Sequence, residues 1–180
     1  MITTVPWVMY PEVIKSQPKK WCFREPKITD GDAVFSLIAN CPPLDVNSCY
    51  CNFLQSSHFS STCLIAEYDS ELAGFISAYK KPDDPSVLFI WQVAVSPRHR
   101  GKGLAYNMLQ VLLQRDNIKN IRALETTITN NNDASWALFK KLDVNQGQHG
   151  TITTFLDENT HFKGKHDTEY LYHIPLNNPQ

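Results

Sequence analysis

Residues 87–115 constrain the fold more than any other part of the sequence, because an apolar run, a glycine-rich turn and an amphipathic run follow one another directly. Val87–Val95 is almost wholly apolar, which is typical of a central strand covered on both faces. Leu104–Arg115 then repeats apolar residues at helical spacing, with inward-facing Ala105, Met108, Leu109 and Leu112. The sequence therefore predicts a buried strand that turns sharply into an amphipathic helix.

The turn between these two elements has the composition of a phosphate-binding loop. Gly101 and Gly103 allow backbone N–H groups to approach a ligand closely. The start of the following helix adds partial positive charge, and Arg98, Arg100 and Lys102 add full charges. These features predict a diphosphate site, although a solvated basic turn that caps a helix would have the same composition. The spacing of a Walker A loop and the Rossmann glycine pattern are both absent.

Two short helices are predicted ahead of this segment. The first is opened by Asp30 or Asp32 and ends at Cys41-Pro42-Pro43, because proline cannot continue the helical hydrogen bonds. Asp45 or Asn47 is expected to cap the second helix. Its predicted inner face carries Val46, Tyr50, Phe53 and Leu54.

Strands are predicted on both sides of the apolar segment, and a last helix is expected to be capped by Asn132 or Asp133. The predicted strands are Trp21–Arg24, Thr62–Tyr68, Leu72–Tyr79, Ile121–Ile128, Thr151–Phe155 and Tyr170–Ile174. The second and third of them are joined by Asp69-Ser70 as a hairpin. This order predicts an α+β fold around a central mixed sheet.

Length and charge limit the class of protein. The chain has 180 residues, which fit one domain. We predict that domain over 21–180, after a flexible leader over 1–20 that resembles no signal peptide. The formal net charge of −1 gives no reason to expect nucleic acid or an anionic membrane as a partner. No apolar run approaches the roughly 18 residues that a membrane helix needs.

The cysteine pattern favours free thiols and a cytoplasmic location. Five cysteines are an odd number, whereas small secreted domains use even, dense sets. A metal site from Cys49, Cys51, His58 and Cys63 is the alternative. Structural zinc sites space their paired cysteines by two to four residues, and that spacing is absent, so no metal is predicted.

Two motifs resemble the GNAT N-acetyltransferase superfamily. Arg98-x-x-Gly101-x-Gly103 matches its [QR]-x-x-G-x-[GA] loop, and the helix that begins at Asn132 is similar to its N-x-x-A-x-x-L-Y helix. The resemblance implies a mostly antiparallel sheet that splays open around acetyl-CoA. It also implies cofactor contacts from Val93, Val95, the Arg98–Gly103 turn, Asn132 and Phe139. The family usually has tyrosine at position 139, where it protonates the leaving thiolate, and phenylalanine leaves that acid unassigned.

A narrower resemblance covers most of the chain after Trp21. Leu44–Tyr50, Phe89–Val95, Leu124–Thr127 and His161–Glu169 are similar to the diaminobutyrate acetyltransferases of ectoine synthesis. This implies a diamino acid substrate acetylated on its 4-amino group. The residues that the resemblance assigns to the substrate are Asp45, Asn47, Ser48, Trp91, Glu125, Thr127, His166 and Glu169.

The reaction needs a group that takes a proton from the amine. A free amine has a pKa near 10, so deprotonation at pH 7 costs about 4 kcal/mol. Glu125 is the first candidate for the base, although a structural ion pair would explain it too. Helix capping alone would account for Asp45, and core packing would account for Trp91 as well as a cation–π contact does.

Three other functions remain open at this stage. Another amine acetyltransferase would have the same motifs, and an acyl-CoA-binding module without catalysis would explain Phe139. A nucleic-acid-binding domain would use Arg98–Lys102 as a phosphate-backbone patch, but the near-neutral charge opposes it. The exposed late strands lead us to expect a homodimer.

Overall fold

The computed structural model describes residues 20–177, in which seven strands form one mixed sheet in the order β1-β2-β3-β4-β5-β7-β6. The strands are β1 (Trp21–Arg24), β2 (Leu64–Tyr68), β3 (Glu71–Lys80), β4 (Val87–Val95), β5 (Ala123–Thr129), β6 (Thr151–Leu156) and β7 (Glu169–Pro175). The helices are α1 (Gly31–Ala39), α2 (Cys49–Gln55), α3 (Leu104–Leu113) and α4 (Asp133–Asn145). The predicted α+β class is confirmed. The predicted leader, except for Lys20, lies outside the described residues.

The hairpin predicted at Asp69-Ser70 is confirmed. Both residues have positive φ angles, 56° and 65°, as a two-residue type I′ turn requires. The turn joins β2 and β3 in antiparallel pairing, with Tyr68 opposite Glu71. Antiparallel pairing continues through β3 and β4, so the early strands form a meander that leads into the apolar central strand.

Two hydrophobic clusters cover the two faces of the sheet. The larger cluster combines β4 and β5 with α3 and α4, through residues such as Leu88, Leu109, Leu124 and Leu142. The smaller cluster packs α1 against the other face, through Val34, Ile38 and Phe75 among others. Because side chains alternate along a strand, Glu125 and Thr127 of β5 point to the face opposite Leu124.

The predicted cap and inner face of α2 were wrong. Ser48, and neither Asp45 nor Asn47, is the N-cap, and its Oγ accepts a hydrogen bond from the N–H of Cys51 at 3.1 Å. Tyr50 and Val46 are 72% and 55% exposed. The buried residues of the helix are the polar pair Asn52 and Gln55.

The caps of α1 and α4 were predicted at the right positions. Asp30 is the N-cap residue of α1, but its carboxylate binds Arg24 at 2.7 Å and makes no capping hydrogen bond. Asn132 caps α4, and its Oδ1 accepts a hydrogen bond from the N–H of Ser135 at 3.1 Å. A side-chain acceptor at this position satisfies one of the free N–H groups at a helix start.

A buried hydrogen-bond network fixes the end of α4 to the last two strands. The Tyr172 hydroxyl donates to Asp143 Oδ2 at 2.8 Å, and the Gly150 N–H donates to Oδ1 at 2.8 Å. Burial and this hydrogen bond raise the pKa of the Tyr172 phenol. Asp143 is 5% exposed, so these two donors replace the water that its carboxylate loses on folding.

All five cysteines are free thiols. Within residues 20–177, no group of three or more His, Cys, Asp and Glu side chains is placed to hold a metal ion. In the same part of the chain, no helix is both long and apolar enough to cross a bilayer.

Candidate active site

A cleft of about 460 Å³ opens where β4 meets α3 and α4. The loop after α1 forms one wall, and the first turn of α3 forms the floor. One side of α4 forms the opposite wall. The residues that line it include Val93, Val95, His99, Arg100, Gly101, Gly103, Tyr106, Asn132, Ser135, Leu138 and Lys141.

Strand β4 contains a bulge at Trp91 that turns its second half toward this cleft. Ser77 pairs with Gln92 and Ala78 pairs with Ile90, so Trp91 has no partner in the register with β3. An extra residue on one strand reverses which face the following side chains point to. Val93 therefore lines the cleft on the same side of the sheet as Ile90, three residues earlier.

The central strands separate at this bulge. Parallel pairing between β4 and β5 runs from Val87 and Ala123 to Ile90 and Thr126, and both strands continue past that point. This separation leaves an opening in the sheet next to Val93 and Val95, which line the cleft. Thr127 is the first residue of β5 beyond the paired part, and it points to the face opposite Leu124.

The glycine turn is open toward the cleft. Gly101 and Gly103 have φ angles of 72° and 75°, a region that other residues enter only at a cost of about 1–2 kcal/mol. A Cβ at either position would meet no atom within 4 Å. The backbone conformation therefore requires these glycines, and the free space above them fits a phosphate-bearing group at the start of α3.

The three cations predicted beside the turn point to different places. Arg100 lines the cleft, and its Nε donates to the Val95 carbonyl at 3.0 Å. Arg98 lines a separate groove beside α1. Lys102 Nζ donates to the Arg98 carbonyl at 3.0 Å, so this lysine stabilises the turn and does not line the cleft.

Phe139 lies in the larger hydrophobic cluster, where it is 2% exposed. It does not border the cleft. By contrast, Trp91 is 46% exposed, and its ring makes an edge contact with Tyr79 at 6.5 Å between centroids. Core packing therefore does not account for this tryptophan.

The segment before α2 is fastened to the central strand by Gln92. Its Nε2 donates to the Asp45 carbonyl at 2.7 Å, and its Oε1 accepts from Asn47 Nδ2 at 2.9 Å. Gln92 is 7% exposed. Sequence reasoning did not single it out, although a lone amide within an apolar strand is a signal of a buried hydrogen-bonding role.

Several predicted substrate residues meet on the α1–α2 face near the separated strands. Glu169 of β7 lies beside the Thr127 side chain, and the charges of Asp45 and His166 act on it. Burial is the main cause that raises the pKa of Glu169, and the nearby Asp45 carboxylate adds to it. Asp45 is exposed and Glu169 is half-buried, and two carboxylates whose charges act on each other can bind a cationic ligand.

Glu125 lies on β5, two residues before Thr127, and it forms a separate set of contacts. Its Oε2 is 3.1 Å from Lys81 Nζ, and its Oε1 is 2.9 Å from His173 Nδ1. The hydrogen bond to Glu125 raises the pKa of Lys81. The glutamate side chain is 9% exposed, so these two partners compensate for the loss of water. Nothing in the sequence signalled Lys81 or His173 as partners.

Comparisons with known proteins agree with this geometry. The model of the Acetyltransferase (GNAT) family matches residues 32–143. An L-2,4-diaminobutyric acid acetyltransferase of Vibrio parahaemolyticus is 64% identical over 176 residues, which cover 98% of this chain and 97% of the relative. The protein with the same description from Vibrio cholerae is 58% identical, over 94% of this chain and 98% of that protein.

Solved structures give the same result. The diaminobutyrate acetyltransferase EctA from Paenibacillus lautus, in complex with its substrate L-2,4-diaminobutyric acid and coenzyme A, matches with a TM-score of 0.84 and 35% identity. The match covers 90% of this chain and 99% of that one. The ribosomal-protein-S18-alanine N-acetyltransferase from Escherichia coli matches at a TM-score of 0.64 and 14% identity, which is a likeness of fold alone.

Proposed function

The chain belongs to the acetyltransferase (GNAT) family, and on this premise we propose that it acetylates the 4-amino group of L-2,4-diaminobutyrate. The acetyl donor is acetyl-CoA, and the product is N4-acetyl-L-2,4-diaminobutyrate, the ectoine precursor. The observation that carries this proposal is the opening between β4 and β5. We infer that this opening links the cleft with the glycine turn on one face to the carboxylates of Asp45 and Glu169 on the other.

We assign the acetyl-CoA contacts to one side of the opening. The open turn at Gly101 and Gly103 would hold the diphosphate, with Arg100 beside it, and the edge of β4 at Val93 and Val95 would pair with the pantetheine arm. Asn132 would lie near the reactive end. The cofactor supplies an activated acetyl thioester. Arg98, Lys102 and Phe139 point elsewhere, so we assign them to the turn and the core.

We assign the substrate contacts to the other face. A diamino acid carries two ammonium groups at neutral pH, and Asp45 and Glu169 offer two carboxylates. Thr127 orients Glu169, and the exposed Trp91 ring forms a wall. His166 adds a polar contact, and Gln92 positions Asn47 and Ser48 through the segment that it fastens.

The chemical step needs a neutral amine and a stabilised oxyanion. We propose that Glu125 takes the proton through a water molecule. The substrate binds beside Thr127 in this assignment, and alternate residues on a strand are about 7 Å apart. A water molecule therefore has to bridge the gap between Glu125 and the amine. The neutral nitrogen then forms a bond to the acetyl carbon, and the carbon–sulfur bond breaks. A backbone N–H beside the β4 bulge would stabilise the oxyanion. The acetylated nitrogen loses its second proton, and because Phe139 cannot donate one, we assign the transfer of that proton to the departing thiolate to water.

Acetyl-CoA turnover, followed as thiol release, tests this function. We expect selective turnover of L-2,4-diaminobutyrate over ornithine, lysine and a lysine peptide, and NMR should locate the acetyl group on the 4-nitrogen. Preference for another amine would overturn the substrate assignment and leave the family assignment intact. Binding of CoA without turnover of any amine would favour the non-catalytic module instead.

We further propose that the protein forms a homodimer through the β6 edge of the sheet. Strand β6 ends the sheet and is exposed along most of its length. Ile152 and Phe155 on it are 48% and 50% exposed. An exposed edge strand with apolar side chains is a ready site for pairing with another chain. Light scattering should give twice the 20.6 kDa chain mass, and a monomer would contradict the proposal.

We also propose a cytoplasmic location. The five free thiols are typical of a reducing compartment, and the proposed reaction consumes acetyl-CoA. Cell fractionation should place the acetyltransferase activity with cytosolic markers, and activity confined to an extracellular fraction would contradict this location.

A further inference from the structure

The cofactor cleft extends past the glycine turn to a lysine that the proposed mechanism does not use. On α4, the lining residues follow helical spacing from Asn132 through Ser135 and Leu138 to Lys141. Nine residues of helix span about 13 Å. One end of this wall lies at the opening between β4 and β5, and Lys141 lies at the other.

Lys141 is held in place by an aromatic ring. Its Nζ lies 4.4 Å from the centroid of the Tyr106 ring, which is within the range of a cation–π contact. The Tyr106 hydroxyl accepts a hydrogen bond from Asn145 Nδ2 at 2.6 Å, so the ring is itself anchored to α4. In residues 20–177, no carboxylate forms an ion pair with Lys141, whereas Lys81 and Lys119 both have one.

The chemistry of the cofactor indicates what this end of the cleft binds. Coenzyme A carries its pantetheine arm on one side of the diphosphate and an adenosine 3′-phosphate on the other. With the diphosphate at Gly101 and Gly103 and the pantetheine arm along Val93 and Val95, the adenosine end has to leave the turn in the other direction. A phosphomonoester has a charge of about −1.5 to −2 at pH 7, which complements an ammonium group without an acidic partner.

We propose that Lys141, held by the Tyr106 ring, forms the subsite for the 3′-phosphate on the adenosine end of coenzyme A. This inference rests on the proposed function, because it requires coenzyme A in the cleft. It assigns a specificity role: Lys141 makes the protein distinguish coenzyme A from 3′-dephospho-coenzyme A. Tyr106 is a positioning residue that keeps the ammonium group in the cleft.

The chain provides a matched control in the neighbouring lysine. Lys140 Nζ lies 5.5 Å from the centroid of the Trp136 ring, so it is also an exposed lysine over an aromatic ring on α4. It does not line the cleft. Any effect of general surface charge or of helix stability should therefore appear in both K140M and K141M, whereas loss of a phosphate contact should appear in K141M alone.

The test is a calorimetric binding cycle on the full chain, with two ligands and three proteins. We expect the wild type to bind coenzyme A about tenfold more tightly than 3′-dephospho-coenzyme A, which is typical of one partly exposed charge-assisted contact. K141M should lose this preference by weakening coenzyme A alone, and K140M should keep it. Raising the salt concentration to 0.5 M should reduce the preference of the wild type, because exposed charges are screened.

Each other outcome has a definite meaning. If K141M weakens both ligands equally, or neither, the 3′-phosphate subsite is wrong. Tyr106→Leu should reduce the preference partly, and an unchanged preference would remove Tyr106 from the subsite. If the wild type binds neither ligand, the proposed acetyl-CoA function itself fails, which is distinguishable from failure of the subsite. Thermal unfolding of each variant checks that the fold is retained.

Discussion

Replacing Glu169 with glutamine should lower kcat/KM for L-2,4-diaminobutyrate about a hundredfold, while the Kd for coenzyme A stays unchanged. Glutamine keeps the size of the side chain and removes its charge. Loss of one partner from a half-buried charge contact costs about 2–5 kcal/mol, and a hundredfold change corresponds to about 2.7 kcal/mol. Steady-state kinetics with varied diaminobutyrate, together with calorimetry of coenzyme A binding, measure both quantities.

The pH profile gives a second, independent readout of Glu169. Burial and Asp45 raise its pKa above the ordinary value of 4.5. Only the ionised carboxylate attracts an ammonium group, so kcat/KM should fall as the pH drops through this raised pKa. The part of this fall that Glu169 causes should be absent in E169Q, which has no group to protonate at that position.

The control for Glu169 is Glu158→Gln, which removes an exposed carboxylate from the same late part of the chain. This variant should retain wild-type kinetics within about twofold, because exposed charges interact weakly with their surroundings. If E169Q and E158Q behave alike, Glu169 does not bind the substrate.

Replacing Glu125 with glutamine should lower kcat at least tenfold and leave the affinity for coenzyme A unchanged. General base catalysis typically contributes about 10²–10⁴-fold, and glutamine cannot accept the proton. Single-turnover measurements with saturating acetyl-CoA separate the chemical step from product release. Turnover like that of the wild type would remove Glu125 from the mechanism.

The partners of Glu125 distinguish a base from a purely structural ion pair. Lys81→Met and His173→Gln each remove one partner and keep the carboxylate. If Glu125 is the base, E125Q should lower kcat far more than either partner variant at a similar loss of thermal stability. If all three variants lose stability and none loses kcat, the network serves folding alone.

Much of the fold followed from the order of residues along the chain. The bounds of β4 matched the prediction, because an uninterrupted apolar run favours a buried strand at any place in a sheet. The hairpin at Asp69-Ser70 and the cap at Asn132 also followed, since each depends on a few neighbouring residues. The glycine turn was predicted for the same reason, and the space above both glycines is open.

Helix α2 shows where local pattern was insufficient. Periodicity predicted an apolar inner face, yet Tyr50 is exposed and Asn52 and Gln55 are buried. A seven-residue helix has too few turns to define its own buried side. The packing of α1 and the sheet decides its orientation instead, and Gln92 fastens the preceding segment from 45 and 47 residues away.

The sequence by itself determined the elements, the glycine turn and the family, because these depend on residues that are close along the chain. Only the tertiary structure decided the neighbours of each predicted side chain. Glu125 meets His173, 48 residues away, because β5 and β7 pair in one register. The bulge at Trp91 decides which residues of β4 face the cleft. Register and strand faces follow from the packing of the whole sheet, and a shift of one residue would send every side chain to the other face.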